Sequence, residues 1–568
     1  MGENKVNIIP KPKKMEKREG FLQKKEVKLV SEVGDERILM AISSFKLADD
    51  GVPLVISVGD DGESYTLTIE ADCIMINAAG SAGAFYAIQT LKQIFAKDTV
   101  SCCYIEDEPD FKHRGFYHDV TRGKIPTLET LKELVDTMAS YKMNSLQLYI
   151  EHAFEFKEYE EYRDKLGYLT KKEVCELDSY CKEHFIELIP SISTFGHLYH
   201  LLSSKKYMHL SELPDYMPTS HYWKERMFHH TINPEIDESF EVIKSLIDQY
   251  LEVSTSDKFN ICADETFDLG NGVNKGKDKG RLYVNFIKKV TNYLISKGKT
   301  VMMWGDIILE HPEYMEELSD NIIFLNWSYD KEPASEQFEK VFHSGKKQIL
   351  CPGTSSWNAF AEDVLIEEGN IITLAKYAGE LNAEGILNTN WGDLGNVASI
   401  TTSIYGLILG AAVSWNKDTK ADEEFRKAAS KEIYGDAQYV DVMAKISSVK
   451  NILNWYKVVT GTIDHVQFGC IPLPSFTEYS DAIEKLKRIK QELETLSYKD
   501  SISKREILSA VQGFILTAVI CAKIDGFSFD CGFDANIWLE EFEKLWLLRN
   551  KPSELDEAKD IIKYRLMM

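Results

Sequence analysis

The sequence predicts a closed (β/α)8 barrel, an α/β fold, preceded by a small α+β domain and followed by a helical domain. Between residues 111 and 415, short β-rich runs alternate with helical patterns, and polar or aromatic residues follow most of these runs. Eight such units in about 300 residues match the number and length of this barrel. An open, doubly wound sheet would show the same alternation, but eight units favour closure.

The eight predicted strands are short runs rich in β-branched, aliphatic and aromatic residues. They cover residues 115–120, 144–150, 185–192, 258–263, 300–304, 321–327, 348–352 and 384–391. Helical patterns follow at residues 128–141, 171–183, 281–296 and 402–413. A further helix is expected after Pro234, because proline suits the first turn of a helix.

The flanking regions have different patterns. Residues 1–110 combine β runs with one helix and predict a small α+β domain; the runs are 64–69 and 73–77, and the helix is 82–95. Residues 416–568 are nearly all helical, with candidates at 422–434, 437–458, 480–497, 504–524 and 535–549, interrupted by a loop at 468–474. This region could pack on the barrel, form a homodimer contact or close a pocket, so the oligomeric state stays open.

Composition indicates which classes of binding partner are unsuitable and which cellular compartment to expect. The net charge of −24 argues against nucleic acid or an anionic membrane as a partner. The apolar stretches 404–415 and 507–522 are expected to be buried helices rather than membrane spans. Because the ten cysteines are scattered without a CxxC pair, and the N-terminal lysines precede no apolar run, we expect a cytoplasmic protein.

Two adjacent carboxylates, Asp264 and Glu265, end the fourth predicted strand. Chemistry in such a barrel gathers where strands end, and partial burial with mutual repulsion can separate two carboxyl pKa values. Pairs in solvated ion networks look the same in sequence. Since consecutive side chains of a strand face opposite ways, we expect the backbone to leave the strand at Asp264, so that both groups enter the pocket.

The other strands bring polar and aromatic residues to the same end of the predicted barrel. These residues are Glu151 and His152 after strand two, His197 after three, Trp304 at five, Trp327 at six, Trp357 after seven and Trp391 at eight. A lone tryptophan is usually a core residue, but four at successive strand ends favour a pocket. His197 and His200 lack a matching set of metal ligands, so neither a metal nor a cofactor is expected.

Several motifs together resemble the family-20 glycoside hydrolases, the β-N-acetylhexosaminidases. The segment 114–122 resembles the signature of their first barrel strand, Phe195-Gly-His197 an element after strand three, Asp264-Glu265 the catalytic pair, and Trp391-x-Asp393 a Trp-x-Glu element at strand eight. Residues 8–12 and 83–91 resemble the family's non-catalytic N-terminal domain, so residues 1–110 would be non-catalytic. The resemblance covers residues 1 to 415 and excludes the helical C-terminal region.

The resemblance implies a retaining exo-enzyme that releases a terminal β-linked GlcNAc or GalNAc from a glycan. In this family the substrate's own acetamido oxygen attacks the anomeric carbon, so only one residue must pass a proton. Glu265 would be that acid, and Asp264 would orient the acetamido N–H and stabilise an oxazolinium-like intermediate. A non-catalytic glycan-binding protein and a glycosidase for non-acetamido sugars remain alternatives.

The resemblance also implies sugar-binding roles. Trp304, Trp327 and Trp391 would wall the acetamide pocket, and Arg114 would bond the 3- and 4-hydroxyls, because its planar donor fork suits paired oxygens.

Three departures from the family pattern change these expectations. Trp357-Asn358 replaces a Tyr-x-Asp element, so the indole N–H would donate to the acetamide oxygen and Asn358 would stand in for the acid. Glu151-His152 replaces acidic residues, so Glu151 would orient His197. Asp393 replaces a longer glutamate that contacts the 4- and 6-hydroxyls, and its shorter side chain would admit an axial 4-hydroxyl.

Overall fold

The computed structural model describes residues 7–228, 230–462 and 472–568. It confirms the predicted barrel: eight parallel strands pair in chain order, and the eighth pairs with the first. The strands are His113–Asp119, Ser145–Ile150, Glu187–Ile192, Lys258–Asn260, Thr300–Trp304, Ile322–Trp327, Lys347–Cys351 and Gly385–Asn390. The fourth strand differs most from its predicted bounds: it ends at Asn260, whereas the prediction ended at residue 263.

The long helices that follow the strands pack around the barrel. They are Leu128–Ser140, Lys171–Glu183, Asp237–Leu251, Lys279–Ser296, Glu336–His343, Val364–Glu380 and Ile404–Trp415. Side-chain oxygens of Thr127, Thr170, Asp278 and Asp363 accept from backbone N–H groups of the first turns and fix four of these starts. Shorter helices lie in the loops: Arg163–Leu166, Tyr199–Ser203, Tyr222–Phe228 and Asp306–Glu310.

The N-terminal domain is a six-stranded mixed sheet with the strand order 1-6-4-5-3-2. Its strands are Lys14–Phe21, Val27–Leu29, Val52–Val58, Tyr65–Ile69, Ile74–Ala78 and Ser101–Asp107, and its helices are Glu36–Ile42 and Ser81–Phe95. A fully buried ion pair joins Asp107 of this domain to Lys142, just before the second barrel strand, at 2.9 Å. The domain therefore docks at the amino ends of the barrel strands.

The C-terminal region is helical, as predicted. Its helices are Glu423–Tyr434, Tyr439–Ala444, Trp455–Thr460, Phe476–Thr495, Ser501–Ile524, Ala535–Arg549 and Leu555–Met567. The helix predicted at 437–458 is broken by a 3-10 segment, Lys445–Ile452, and a new helix starts after the Asn454 cap. The predicted loop at 468–474 lies partly in residues 463–471, outside the described residues.

The C-terminal helices pack on the barrel, one of the three arrangements considered from sequence. Arg549 bonds Glu133 of the first barrel helix at 2.7 Å, and Lys551 bonds Glu173 of the next at 2.8 Å. Among the described helices, Ser501–Ile524 is long and apolar enough to cross a membrane, but 78% of its apolar window is buried inside the fold. It is the core helix of this domain, as its sequence predicted.

Candidate active site

The backbone after the fourth strand is irregular. Three of its residues have a left-handed conformation: Cys262, Ala263 and Glu265, with φ of 54°, 67° and 47°. Such conformations are unfavourable for residues with a Cβ and persist only where surroundings hold them. Here the Tyr283 hydroxyl donates to Ala263 O at 2.9 Å. The expected departure from strand geometry is confirmed, and it begins even before Asp264.

Asp264 and Glu265 meet at one imidazole. His197 Nε2 lies 3.6 Å from Asp264 Oδ2 and 3.2 Å from Glu265 Oε2. The loop carrying His197 can approach this closely because Gly196 has no Cβ. A Cβ at this position would lie 2.4 Å from Asp264 O and collide with it. The side chain of Asp264 is 10% exposed and that of Glu265 is 28% exposed. Glu265 is therefore the more accessible member of the pair.

His197 is held in its charged form. Burial by itself lowers its pKa, but the negative charge of Asp264 and the close approach of Asp264 and Glu265 to Nε2 outweigh it and raise the pKa to about 10. The imidazolium thus neutralises part of the carboxylate charge at the site.

The raised pKa makes stability depend on pH. Between pH 6.5 and 10 the folded protein keeps a proton on His197 that the unfolded chain has lost, so this contribution is full below pH 6.5 and fades towards pH 10. We expect the difference in unfolding free energy between wild type and His197→Gln to shrink as pH rises through this window. Urea titrations at several pH values measure it. His209→Gln removes an exposed histidine as the control, and a pH-independent difference would contradict the assignment.

Asp306 is a third carboxyl group at this site, and it was missed from sequence. Its Oδ2 accepts from the backbone N–H of Glu265 at 2.9 Å. Burial, followed by the charge of Asp264, raises the pKa of Asp306 well above its ordinary value. Asp306 therefore fixes the backbone of Glu265 through this hydrogen bond. Its position two residues after Trp304, at the end of the fifth strand, was the available signal.

Arg122, also missed, is a second buried cation of the site. Its guanidinium donates to three acceptors: Asp393 Oδ1 at 2.7 Å, and Glu151 Oε1 and Tyr149 OH at 3.2 Å. Its Nη2 also lies 3.4 Å from His197 Nδ1, which carries a hydrogen in the charged imidazole and cannot accept. The expectation that Glu151 orients His197 directly is corrected, because Arg122 lies between them. The ion pair between Asp393 and Arg122 places Asp393 in the same group of residues.

The prediction for Arg114 is wrong, because Arg114 lies at the opposite end of the barrel. It is the second residue of the first strand and is fully buried against the N-terminal domain. Its guanidinium pairs with Glu63 at 2.7 Å, and its Nε donates to Lys142 O at 2.9 Å. At about 3.3 Å per residue, the seven-residue strand separates Arg114 from the mouth, where Arg122 follows the strand end.

Trp304 and Trp391, two of the predicted aromatic residues, form one buried cluster with two tyrosines. Trp304 is fully buried and lies 5.7 Å from Trp391, centroid to centroid. Tyr117 packs edge-on against Trp304 at 5.1 Å, and Tyr149 packs against Trp391 at 5.2 Å. The two tyrosines were not predicted, although each lies on the inward-facing side of its strand.

The other predicted aromatic residues form a partly exposed wall around Tyr329. Trp327 stacks on Tyr329 at 5.1 Å, and Trp357 meets it edge-on at 4.8 Å. The indole N–H of Trp391 donates to the Tyr329 hydroxyl at 2.7 Å, which joins this wall to the buried aromatic cluster. Asn358 follows Trp357 in a left-handed conformation, and its buried Oδ1 has no partner among the described residues.

The structure does not bring His152 to this group. Its ring packs against His200 at 4.5 Å and Tyr159 at 6.4 Å, and burial lowers its pKa to about 3. His152, His200 and Glu554 have potential ligand atoms within 4.8 Å of one another. However, Glu554 already pairs with Arg226 at 2.7 Å, and a metal cation would face that guanidinium.

Three features place this barrel among the glycoside hydrolases: the paired acids after the fourth strand, the buried Arg122–Asp393 pair and the aromatic cluster at the strand ends. The chain belongs to glycosyl hydrolase family 20. The family's catalytic domain matches residues 111–424, and its domain 2 matches residues 5–108.

Two curated relatives show how far sequence similarity extends. A beta-hexosaminidase of Vibrio vulnificus is 25% identical over 327 residues, which cover 45% of this chain and 38% of the relative. Hexosaminidase D of Bos taurus is 24% identical over 203 residues, covering 34% of this chain and 55% of the relative. The chain thus spans less than two thirds of either relative's length.

Solved structures resemble the fold over a longer span. The Flavobacterium johnsoniae chitobiase has a TM-score of 0.64 at 17% identity, covering 96% of this chain and all of that chain. The beta-N-acetylhexosaminidase of Bacteroides fragilis has a TM-score of 0.61 at 19% identity, covering 75% of this chain and 94% of that chain.

Proposed function

We propose that this protein is a retaining exo-β-N-acetylhexosaminidase that releases terminal β-linked GlcNAc or GalNAc with participation of the substrate's acetamido group. The observation that carries the proposal is the adjacent pair Asp264 and Glu265, turned to one imidazole by a left-handed backbone. Both carboxylates then face the same part of the substrate. One can hold the acetamide while the other protonates the leaving oxygen.

The surrounding acids support a nucleophile supplied by the substrate. A two-carboxylate retaining mechanism needs an ionised nucleophile about 5 Å from the acid. Glu151 and Asp393 are both paired with Arg122, Asp306 accepts the backbone N–H of Glu265, and Asp264 lies against His197. Each of these acids is already engaged with a protein group, and the acetamido oxygen can fill the role of nucleophile.

In the proposed mechanism Glu265 is the general acid. It donates a proton to the glycosidic oxygen and later takes one from the attacking water, and its greater exposure suits contact with the leaving group. Asp264 accepts the acetamido N–H and stabilises the positive charge of the oxazolinium ion. The His197 imidazolium contacts the side chains of both Asp264 and Glu265, so their positions are set before substrate binds.

The remaining groups would bind the sugar. Trp304 and Trp391 would enclose the acetamide methyl with Trp327, and the Tyr329 or Trp357 side chain would donate to the acetamide oxygen. Arg122, in place of Arg114, would bond the 3- and 4-hydroxyls, and its partner Asp393 would bond the 4-hydroxyl from the other side. Relatives named as beta-hexosaminidases and a chitobiase support this substrate class.

Turnover of aryl β-glycosides tests the proposal. We expect wild type to hydrolyse the β-GlcNAc or β-GalNAc substrate at least about 100-fold better than the β-glucoside, because the glucoside lacks the internal nucleophile. A thiazoline that mimics the oxazolinium ion should compete tightly. Preference for the glucoside would support the non-acetamido alternative, and binding without turnover would support a lectin-like protein.

A further inference from the structure

One segment of the C-terminal domain that reaches the active-site mouth is residues 549–555, which we call the C-terminal strap. The strap runs along the loop that follows the first barrel strand. Three backbone hydrogen bonds join them: Lys551 N–H to Ile125 O at 2.8 Å, Thr127 N–H to Arg549 O at 2.9 Å and Glu554 N–H to Gly123 O at 3.4 Å. The strap therefore pairs with the chain directly after Arg122.

The contact continues to the residue next to Arg122. The Ser553 hydroxyl donates to Gly123 O at 2.6 Å. Gly123 has a φ of +110°, and a Cβ at this position would collide with the backbone of Gly395. Any shift of Gly123 is thus transmitted to the loop that carries Asp393.

The Asp393 loop is strained and needs external support. Three successive residues have a left-handed backbone: Leu394, Gly395 and Asn396, with φ of 53°, 94° and 46°. Such a run persists only when the surrounding structure holds it. The indole N–H of Trp455, from the C-terminal domain, donates to Leu394 O at 2.8 Å. The Trp223 ring occupies the space that a side chain at Gly395 would need.

Glu554 of the strap holds Trp223 in place. Its carboxylate accepts the Trp223 indole N–H and pairs with Arg226 at 2.7 Å, and the side chains of Glu554 and Arg226 are 2% and 0% exposed. Removing one partner of a buried ion pair leaves an uncompensated charge. Glu554 therefore fixes the support on which the Asp393 loop rests.

We propose that the C-terminal strap is a positioning element for sugar recognition, in which Ser553 and Glu554 hold the two loops that carry Arg122 and Asp393. The pair sits at 2.7 Å in this arrangement, so both groups can reach one hydroxyl of the substrate. The inference rests on the proposed function, because it assigns the pair to the 4-hydroxyl. It gives the helical domain a task in substrate selection.

The test compares Glu554→Gln with wild type on an aryl β-GlcNAc and on its 4-deoxy analogue, or on the β-GalNAc pair if wild type prefers it. The variant should lose roughly tenfold in kcat/KM on the parent sugar, mainly through KM, as expected for weakened ground-state binding. On the 4-deoxy sugar the loss should be below about threefold, since the contact is already missing there.

Glu63→Gln is the matched control, because it breaks an Arg–Glu pair between another flanking domain and the opposite end of the barrel. We expect it to lower Tm while kcat/KM on both sugars stays within about twofold. Ser553→Ala removes only one hydroxyl and keeps the test interpretable if Glu554→Gln does not fold. This variant should also lose more kcat/KM on the parent sugar than on the 4-deoxy sugar.

Equal losses on the two sugars, or unchanged kcat/KM with a lowered Tm in both strap variants, would overturn the positioning role while leaving the proposed function intact. A wild type without activity on any β-HexNAc substrate would instead overturn the proposed function, and the inference with it. A loss of kcat/KM that is confined to the parent sugar supports both the positioning role and the proposed function.

Discussion

Replacing Glu265 by glutamine should lower kcat/KM for an aryl β-GlcNAc with a poor leaving group by about 1,000-fold, because general acid catalysis contributes roughly 10²–10⁴. The amide keeps the shape of the side chain but has no proton to donate to the glycosidic oxygen. A dinitrophenyl substrate, whose leaving group needs little protonation, should lose much less. Steady-state kinetics with a series of aryl leaving groups measures this as a steeper dependence on leaving-group pKa.

Glu310→Gln is the control for this substitution, since Glu310 is an exposed glutamate on the short helix that begins at Asp306. It should leave the kinetics near wild type. Uniform losses across all leaving groups for Glu265→Gln would argue that Glu265 binds the sugar and passes no proton. Full activity would remove it from the mechanism.

Replacing Asp264 by asparagine should lower kcat by about 100- to 1,000-fold, the loss typical when a preorganised electrostatic contact is removed. The neutral amide neither orients the acetamido N–H as an ionised acceptor does nor stabilises the positive charge of the intermediate. The substitution also removes the charge that opposes the effect of burial at His197, so the pKa of His197 should fall from about 10. Kinetics and an NMR titration of the imidazole give two independent readouts.

Asp330→Asn changes an exposed aspartate in the loop after the sixth strand and should leave both readouts unchanged. If Asp264→Asn lost activity while the His197 pKa stayed near 10, the assigned electrostatic link would be wrong. If the pKa fell but kcat persisted, Asp264 would orient His197 without holding the substrate.

The sequence was informative where function follows from position along a strand. Asp264 and Glu265 end the fourth β-rich run, and the four tryptophans follow or end later runs, so all could be placed at one mouth. The same rule separates Arg122 from Arg114, since one lies beyond the first strand and the other near its start. Arg114 matches the family motif, but its position near the start of the strand places it at the far end of the barrel from the acid pair.

Other site residues could not be identified from local patterns. Glu554 approaches the mouth from the end of the chain, and its partners Trp223 and Arg226 lie in a loop helix more than 300 residues earlier. Tyr329 enters the pocket from an irregular loop, where no periodicity indicates which way a side chain faces.

By itself, the sequence determined the barrel, its flanking domains and the location of the acid pair, because alternating hydrophobic runs depend on neighbours in the chain. Only the tertiary structure decided which charges meet. Arg122 and Asp393 are 271 residues apart, and their ion pair depends on two loops held together by the C-terminal domain. Such pairing depends on packing between segments that are far apart in the chain. Local patterns in a single sequence do not show which of these segments pack together.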